Sequence, residues 1–306
     1  MLTALLIIAR TVQIAASILF AGIFTFDLVM LAPDGRLGSG DFQDIERRLF
    51  RLAVWSLVAA LLSVLLWFWL EVASISQLSL RNAFSTAAWK TVLFETQFGR
   101  VWQLRLGLIA VAFALVAAGP VQVKARRTVI SVLWLLSVVF LVSLAAISHA
   151  GAARVQPLGL LGDMLHLCAA GGWIGGLVPL AIFLARARAS VSLGETVIPT
   201  LRRFSTLSLC CASILIVSGI SNSWLLVGSF YALFTTAYGR LLLFKLALFC
   251  ILVGFGARNR LAIKTKPLKV EARSTLLPQL RRNVICEACL GAAVVAIVAY
   301  LGVMHP

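Results

Sequence analysis

The sequence predicts an all-α, polytopic membrane protein: eight transmembrane helices in one membrane domain, built as two parallel four-helix pseudo-repeats. Three observations predict it. The 306-residue chain is 61% hydrophobic and 12% charged, where a soluble domain carries about 25% charged residues. Its apolar residues fall in continuous Leu/Ala-rich runs of the length a helix needs to cross a bilayer. Those runs lack the ten-residue alternation of a membrane barrel. Finally, a short motif recurs four runs apart, an even number that leaves both copies pointing the same way.

The spans are expected at 3–32, 49–73, 101–119, 129–148, 159–185, 204–228, 241–257 and 284–303. The first exceeds one bilayer thickness, so it tilts or projects beyond it. Its leading residues, MLTALLIIAR, lack the basic n-region and small-residue cleavage site of a secretory signal, so the span is expected to be retained. Between spans 2 and 3, residues 81–98 mix aromatic and charged side chains, and read either as a short interfacial helix or as a loop. The repeat sits at the starts of spans 3 and 7. Thr96-Gln97-Phe98-Gly99-Arg100 with Arg105 matches Thr236-Ala237-Tyr238-Gly239-Arg240 with Lys245. It divides the chain into halves of about 1–155 and 156–306. Span 1 can then be laid on span 5, with Arg10 over Asp163, Gln13 over His166 and Gly22 over Gly175.

The net charge of +16 invites a nucleic-acid reading, but its distribution argues for membrane orientation. Nineteen Lys and Arg residues fall in the segments joining spans 1–2, 3–4, 5–6 and 7–8, against five in the alternate segments. The positive-inside rule puts the nineteen in the cytoplasm and both termini in the periplasm of an inner-membrane protein. No nucleic-acid partner is expected; the lipid bilayer is the expected surrounding. Arg100, Arg105, Arg240 and Lys245 lie toward the outer ends of spans 3 and 7, and Arg10 lies in span 1 at the depth of Asp163 in span 5. Basic residues near helix ends either snorkel to the interface, or here line an outer vestibule or pair with a buried acid such as Asp163. All six cysteines lie within spans, which is not the pattern of a disulfide framework.

The densest chemistry lies between Ser148 and Gly176. His149 closes span 4, and His166 sits two turns into span 5. Asp163 and His166 share a helix face at i, i+3, and Met164 supplies a thioether nearby. Imidazole suits copper, zinc, iron and nickel, and a thioether tilts the choice toward Cu(I). His149, His166, Asp163 and Met164 are therefore the candidate metal ligands, at the outer surface, with copper the expected ion. The alternative for a membrane histidine is a hydrogen bond to a neighbouring helix. Ser218, Ser221 and Asn222 form a polar face at matching depth on span 6, as a wet cavity wall or as interhelical bonds. Gly171, Gly172, Gly175 and Gly176 read as close helix packing. Weaker candidates are Met304 and His305 at the end of span 8, as part of an entry site. Cys286 and Cys289, a C-x-x-C at its start, serve either as apolar packing or as a soft exit site. No P-loop, dinucleotide fingerprint or H-E-x-x-H occurs, so no enzymatic activity is expected.

In order and spacing, these residues resemble the copper-resistance protein D (CopD) family. The resemblance rests on His149, the D-x-x-H…W-x-G-G run of Asp163, His166, Trp173, Gly175 and Gly176, the T-x-Y-G-R of Thr236–Arg240 with Lys245, Arg258-Asn259-Arg260, and Arg281-Arg282. It implies eight helices, movement of copper from periplasm to cytoplasm, and a periplasmic carrier of the copper-resistance C type as partner. It also implies that His149 and His166 are the functional histidines. Two other functions fit the residues: a haem-binding redox protein with the two histidines as axial ligands, and a metal-free scaffold.

Overall fold

A backbone surrounded by hydrocarbon has no water to bond, so each apolar run satisfies its own amides as a helix. The computed structural model describes residues 2–31, 40–77, 80, 82–84, 86–117, 123–147, 156–190, 193–227, 229–265 and 270–304. Ten α-helices follow in order: α1 Leu2–Phe26, α2 Gly40–Ile75, α3 Thr86–Glu95, α4 Gln97–Ala117, α5 Val123–Val142, α6 Gln156–Ala189, α7 Gly194–Val227, α8 Phe230–Thr235, α9 Ala237–Thr265 and α10 Val270–Leu301. α1 continues into a π-helical turn over Asp27–Leu31, and a 3-10 turn at Ala145–Ile147 follows α5. Among the described residues, eight helices are long and apolar enough to cross a membrane, as the composition predicts. No strand occurs among the described residues.

α1 and α6 form the central pair. α2 and α5 pack on α1, α7 packs on α6, and α10 packs on both. The central contact depends on glycine. A Cβ at Gly22 would land on the Gly175 backbone, and a Cβ at Gly175 would land on the Ile18 carbonyl. The absent side chains let the two backbones touch, which is how small residues drive association where lipid and side chain are equally apolar. Four residues on, Pro179 has no N–H to offer the Gly175 carbonyl, so this crossing also lacks one intrahelical bond. Around it the core is aromatic. Phe26 packs on Phe183 and Phe204, and Trp67, Phe98 and Trp102 form a second cluster.

Several helices outrun the expected spans at the basic end. α2 begins at Gly40, α7 at Gly194 and α10 at Val270, and α9 runs on to Thr265. The cause is amphipathicity, which hydropathy alone does not register. Phe42, Ile45 and Leu49 are buried at i, i+3, i+7 and continue the core stripe of α2. The polar side is tied down as well. Asp44 pairs with Arg186, Ser190 donates to Asp41 at 2.5 Å, and Arg126 bridges Asp27 (2.9 Å) and Glu46 (2.8 Å). Of the two readings of 81–98, the helical one holds, with α3 as its main element.

The repeated motif folds alike in both places. Thr96 bonds the Val92 carbonyl (2.5 Å) and accepts from Gly99 N–H (2.9 Å); Thr236 bonds the Ala232 carbonyl (2.8 Å) and accepts from Gly239 N–H (2.9 Å). In each, the threonine hinges a short helix to a long one. A Cβ at either glycine would strike carbonyls of that short helix. The T-x-x-G spacing is thus a hinge requirement.

Candidate functional site

At the charge-poor end, α1, α6, α7, α9 and α10 enclose a cavity of about 210 Å³. Its polar wall comprises Arg10, Asp163, His166, Asn222, Ser223, Tyr238 and Lys245. Two residues of α6 on this wall are bonded by two of α7. Asn222 Nδ2 donates to Asp163 Oδ1 at 2.5 Å, and His166 Nδ1 lies 2.9 Å from Ser218 Oγ. The helices run antiparallel, so the i, i+3 pair on one meets the i, i+4 pair on the other. Ser221, the third member of the polar face, is exposed, and among the described residues its hydroxyl bonds the Val217 carbonyl of its own helix.

Both Ser218 bonds are made at once only in the tautomer that carries the His166 proton on Nδ1. Ser218 has one hydroxyl proton, and the Ile214 carbonyl 2.6 Å away can only accept it. The same oxygen then accepts from His166 Nδ1–H. Nε2 is left with its lone pair and has no hydrogen-bond partner among the described residues. A metal-ligating histidine is typically fixed this way, with its second nitrogen donating to a protein oxygen.

His149 and His305 lie outside the described residues. Their chain neighbours Ile147 and Gly302 both line the cavity. Met164 does not: it is half-buried and sits two positions from His166, about 200° around the helix. Met304 is half-buried and packs against Tyr238, Leu242 and Leu301 beside the cavity. Cys286 and Cys289 are exposed, turned away from the bundle-facing stripe of Asn283 and Glu287. Among the described residues, no three His, Cys, Asp or Glu side chains gather as a metal cluster.

The intramembrane basic residues divide. Arg100 and Arg240 are exposed. Arg105, for which snorkelling was one expectation, is fully buried. It donates to the Phe140 carbonyl (2.7 Å), Ser143 Oγ (2.6 Å) and Ser17 Oγ (3.2 Å), with its guanidinium 4.0 Å over the Phe140 ring. These neutral dipoles and a π-face hold it in place of the water a snorkelling side chain seeks. Lys245, its counterpart in the motif, lines the cavity instead. Arg10 lines the cavity with Asp163, its guanidinium 4.9 Å above the Trp67 ring. Gln13, laid over His166 by the sequence alignment, is fully buried, and Ser63 of α2 bonds its Oε1 at 2.6 Å. Gln13 and His166 thus each bind a serine on the next long helix.

A larger cavity of about 620 Å³ lies against the polar one, sharing His166 and Lys245 and otherwise lined almost wholly by apolar side chains. Sequence reasoning missed a second polar cluster toward the basic end: Glu287, Asn259 and Asn283, all nearly fully buried. The signal was a lone carboxylate inside span 8, four residues after an asparagine and flanked by the more conspicuous cysteines.

Comparison with known proteins extends this picture. Residues 1–155 match the family described as copper resistance protein D-like, N-terminal domain, and residues 198–301 match copper resistance protein D. The Asp163–Gly176 run falls between the two matches. The chain is similar to copper transport protein CutJ of Bacillus subtilis, 28% identical over 81% of this chain and 44% of that protein, so it spans less than half of that relative. It is also similar to inner membrane protein YebZ of Escherichia coli, 27% identical over 86% of this chain and 87% of that one. Copper resistance protein D of Pseudomonas syringae pv. tomato is 27% identical over 69% of this chain and 70% of its own length. No solved structure matches. With half the chain covered by one family match and a third by the other, this eight-helix membrane protein belongs to the copper-resistance protein D family.

Proposed function

We propose that the protein carries copper across the bacterial inner membrane, from periplasm to cytoplasm, without covalent chemistry. The observation that carries the reading is His166, whose Nδ1–H is committed to Ser218 while Nε2 is left free beside a polar cavity. The names of two relatives, a copper transport protein and a copper resistance protein, support copper as the cargo. The inner membrane protein among them supports the location. The charge asymmetry supports a periplasmic position for the cavity and both termini. His149 completes the ligand set with Asp163, and a periplasmic carrier of the copper-resistance C type delivers the ion. The matched hinges, and the serine bonds of Gln13 and His166, support two parallel halves of which the second keeps the ligand.

Charge favours Cu(I). Arg10 and Lys245 outnumber Asp163 on the cavity wall, so a monovalent ion meets half the repulsion of a divalent one. The membrane potential supplies about 2.3 kcal/mol per charge per 100 mV for inward movement.

The test is copper uptake into proteoliposomes by the native chain, His149→Ala and His166→Ala. Both variants are expected to lose uptake; equal uptake in all three removes the site. A second reading is favoured by the 620 Å³ apolar cavity beside His166, which offers room for a haem with that histidine as axial ligand. A Soret band in the purified protein would place this reading first.

A further inference from the structure

Toward the basic end, a third cavity of about 140 Å³ lies among α6, α7, α9 and α10. Glu287 of α10 lines it and is 3% exposed. Its Oε1 accepts from Asn259 Nδ2 at 2.5 Å, and the Trp173 indole N–H also donates to the carboxyl. Asn259 in turn accepts from Asn283 at 2.7 Å. Opposite, on α7, Ser205 is held by Arg260 (3.0 Å), and Ser208 lines the cavity with its hydroxyl buried and unpartnered.

A carboxyl this deep in a membrane bundle is costly, and such groups mark ion and proton paths. The space exceeds the roughly 10–15 Å³ one water requires, and an unpartnered hydroxyl beside a carboxyl is the polar wall that ordered water needs. We infer that Glu287 is the proton-binding group of a hydrated chamber on the cytoplasmic side, a second site distinct from the copper ligands.

The donor set decides what the chamber takes. Among the described residues its wall holds no imidazole, thiolate or thioether, so a soft metal ion finds no preferred ligand there. The charged and titratable groups on its wall are Glu287 and Arg260; the remaining polar groups are neutral, and α1, which also packs on α10, contributes none. Two N–H donors already serve the carboxylate, and a guanidinium stands on the same wall, which disfavours a divalent cation. A proton converts the carboxylate to the acid without displacing any of them.

The chamber also borders the copper route. It shares Val253 with the 620 Å³ cavity, which shares His166 with the polar cavity. Trp173 stands at the divide, its ring 6.2 Å from Phe249 and its N–H on Glu287. Protonation of Glu287 therefore acts on the side chain that separates the two sides. Proton binding at Glu287 stands on its own; its coupling to copper rests on the function proposed above.

Two measurements test this on the full chain in lipid. The first is pH-difference infrared spectroscopy without copper. The native protein is expected to show a protonated-carboxyl stretch that titrates and shifts in D2O. Glu287→Gln, an isosteric change, loses it, and Asp163→Asn keeps it. Should Glu287→Gln not fold, Asn259→Ala reads the same group, because loss of an N–H donor moves the band frequency. Native and Glu287→Gln spectra that superimpose overturn the proposal. The second is proton movement in proteoliposomes on addition of Cu(I), expected for the native chain and lost in Glu287→Gln. Copper uptake with no proton movement overturns the coupling while the copper reading stands. An intact infrared band with no copper uptake overturns the copper reading while the proton site stands.

Discussion

One hydroxyl decides which nitrogen of His166 is available. Ser218 donates its hydroxyl hydrogen to the Ile214 carbonyl and accepts from Nδ1–H, which orients the ring and leaves Nε2 without a partner among the described residues. Removing that oxygen frees the ring to rotate and to change tautomer. Ser218→Ala is therefore expected to weaken copper binding by about 10- to 100-fold, the usual cost of losing the partner behind a ligating histidine. Ser218→Thr, which keeps the hydroxyl, restores most of it. Titration of the purified protein with Cu(I) against a competing chelator checks this, and equal affinity of Ser218→Ala and native protein would refute the role. At this scale the sequence was readable where residue type and helical spacing coincide. Asp163, His166, Ser218 and Asn222 all stand out as polar groups at i, i+3 or i, i+4 in apolar runs. Arg105 was not readable, because its partners are two serines and a backbone carbonyl, with no carboxylate to announce a buried cation. Glu287 was visible as a charge in span 8, but its asparagine partner Asn259 lies on a different helix.

Helices pack as closely as their smallest facing residues allow, and the α1–α6 contact is set by Gly22 and Gly175. Either glycine replaced by alanine would place a methyl on backbone, which cannot move aside as a side-chain tip can. Overpacking of this kind costs about 1–3 kcal/mol. Gly175→Ala and Gly22→Ala are each expected to lower the thermal unfolding temperature in detergent. Gly107→Ala and Gly254→Ala have open space at the new Cβ. They are expected to be neutral or to gain up to about 1 kcal/mol of helix propensity. Equal behaviour of all four would refute the crossing. The close-packing role of glycines 171–176 was legible from their small-xxx-small spacing. Their partner was legible only through the weak alignment of span 1 on span 5, since a glycine does not name what it touches. Helix ends at the basic side were the least legible. Hydropathy falls where arginines begin, while the buried stripe of Phe42, Ile45 and Leu49 carries the helix onward.

For the molecule as a whole, the run of hydropathy along the chain predicts eight spans, and charge distribution argues which way they run. The described structure gathers Asp41, Asp44, Arg126 and Arg186 at one end, and His166, Asp163 and Tyr238 toward the other. In the sequence, the 1–2, 3–4, 5–6 and 7–8 connections carry nineteen basic residues and the alternate ones five. Such a difference predicts insertion with the basic end inside, because short basic loops resist translocation. Everything proposed about direction depends on it: with the opposite orientation the His166 cavity would open to the cytoplasm and the Glu287 chamber to the periplasm. Single cysteines on a cysteine-free background read the orientation directly. Glu95, exposed at the charge-poor end, and Lys264, exposed at the basic end, are suitable positions. Glu95→Cys is expected to react with a membrane-impermeant maleimide in intact spheroplasts. Lys264→Cys is expected to react only once the membrane is opened. The reverse pattern would make the protein an exporter by the same ligands, since the site would then face the compartment it empties.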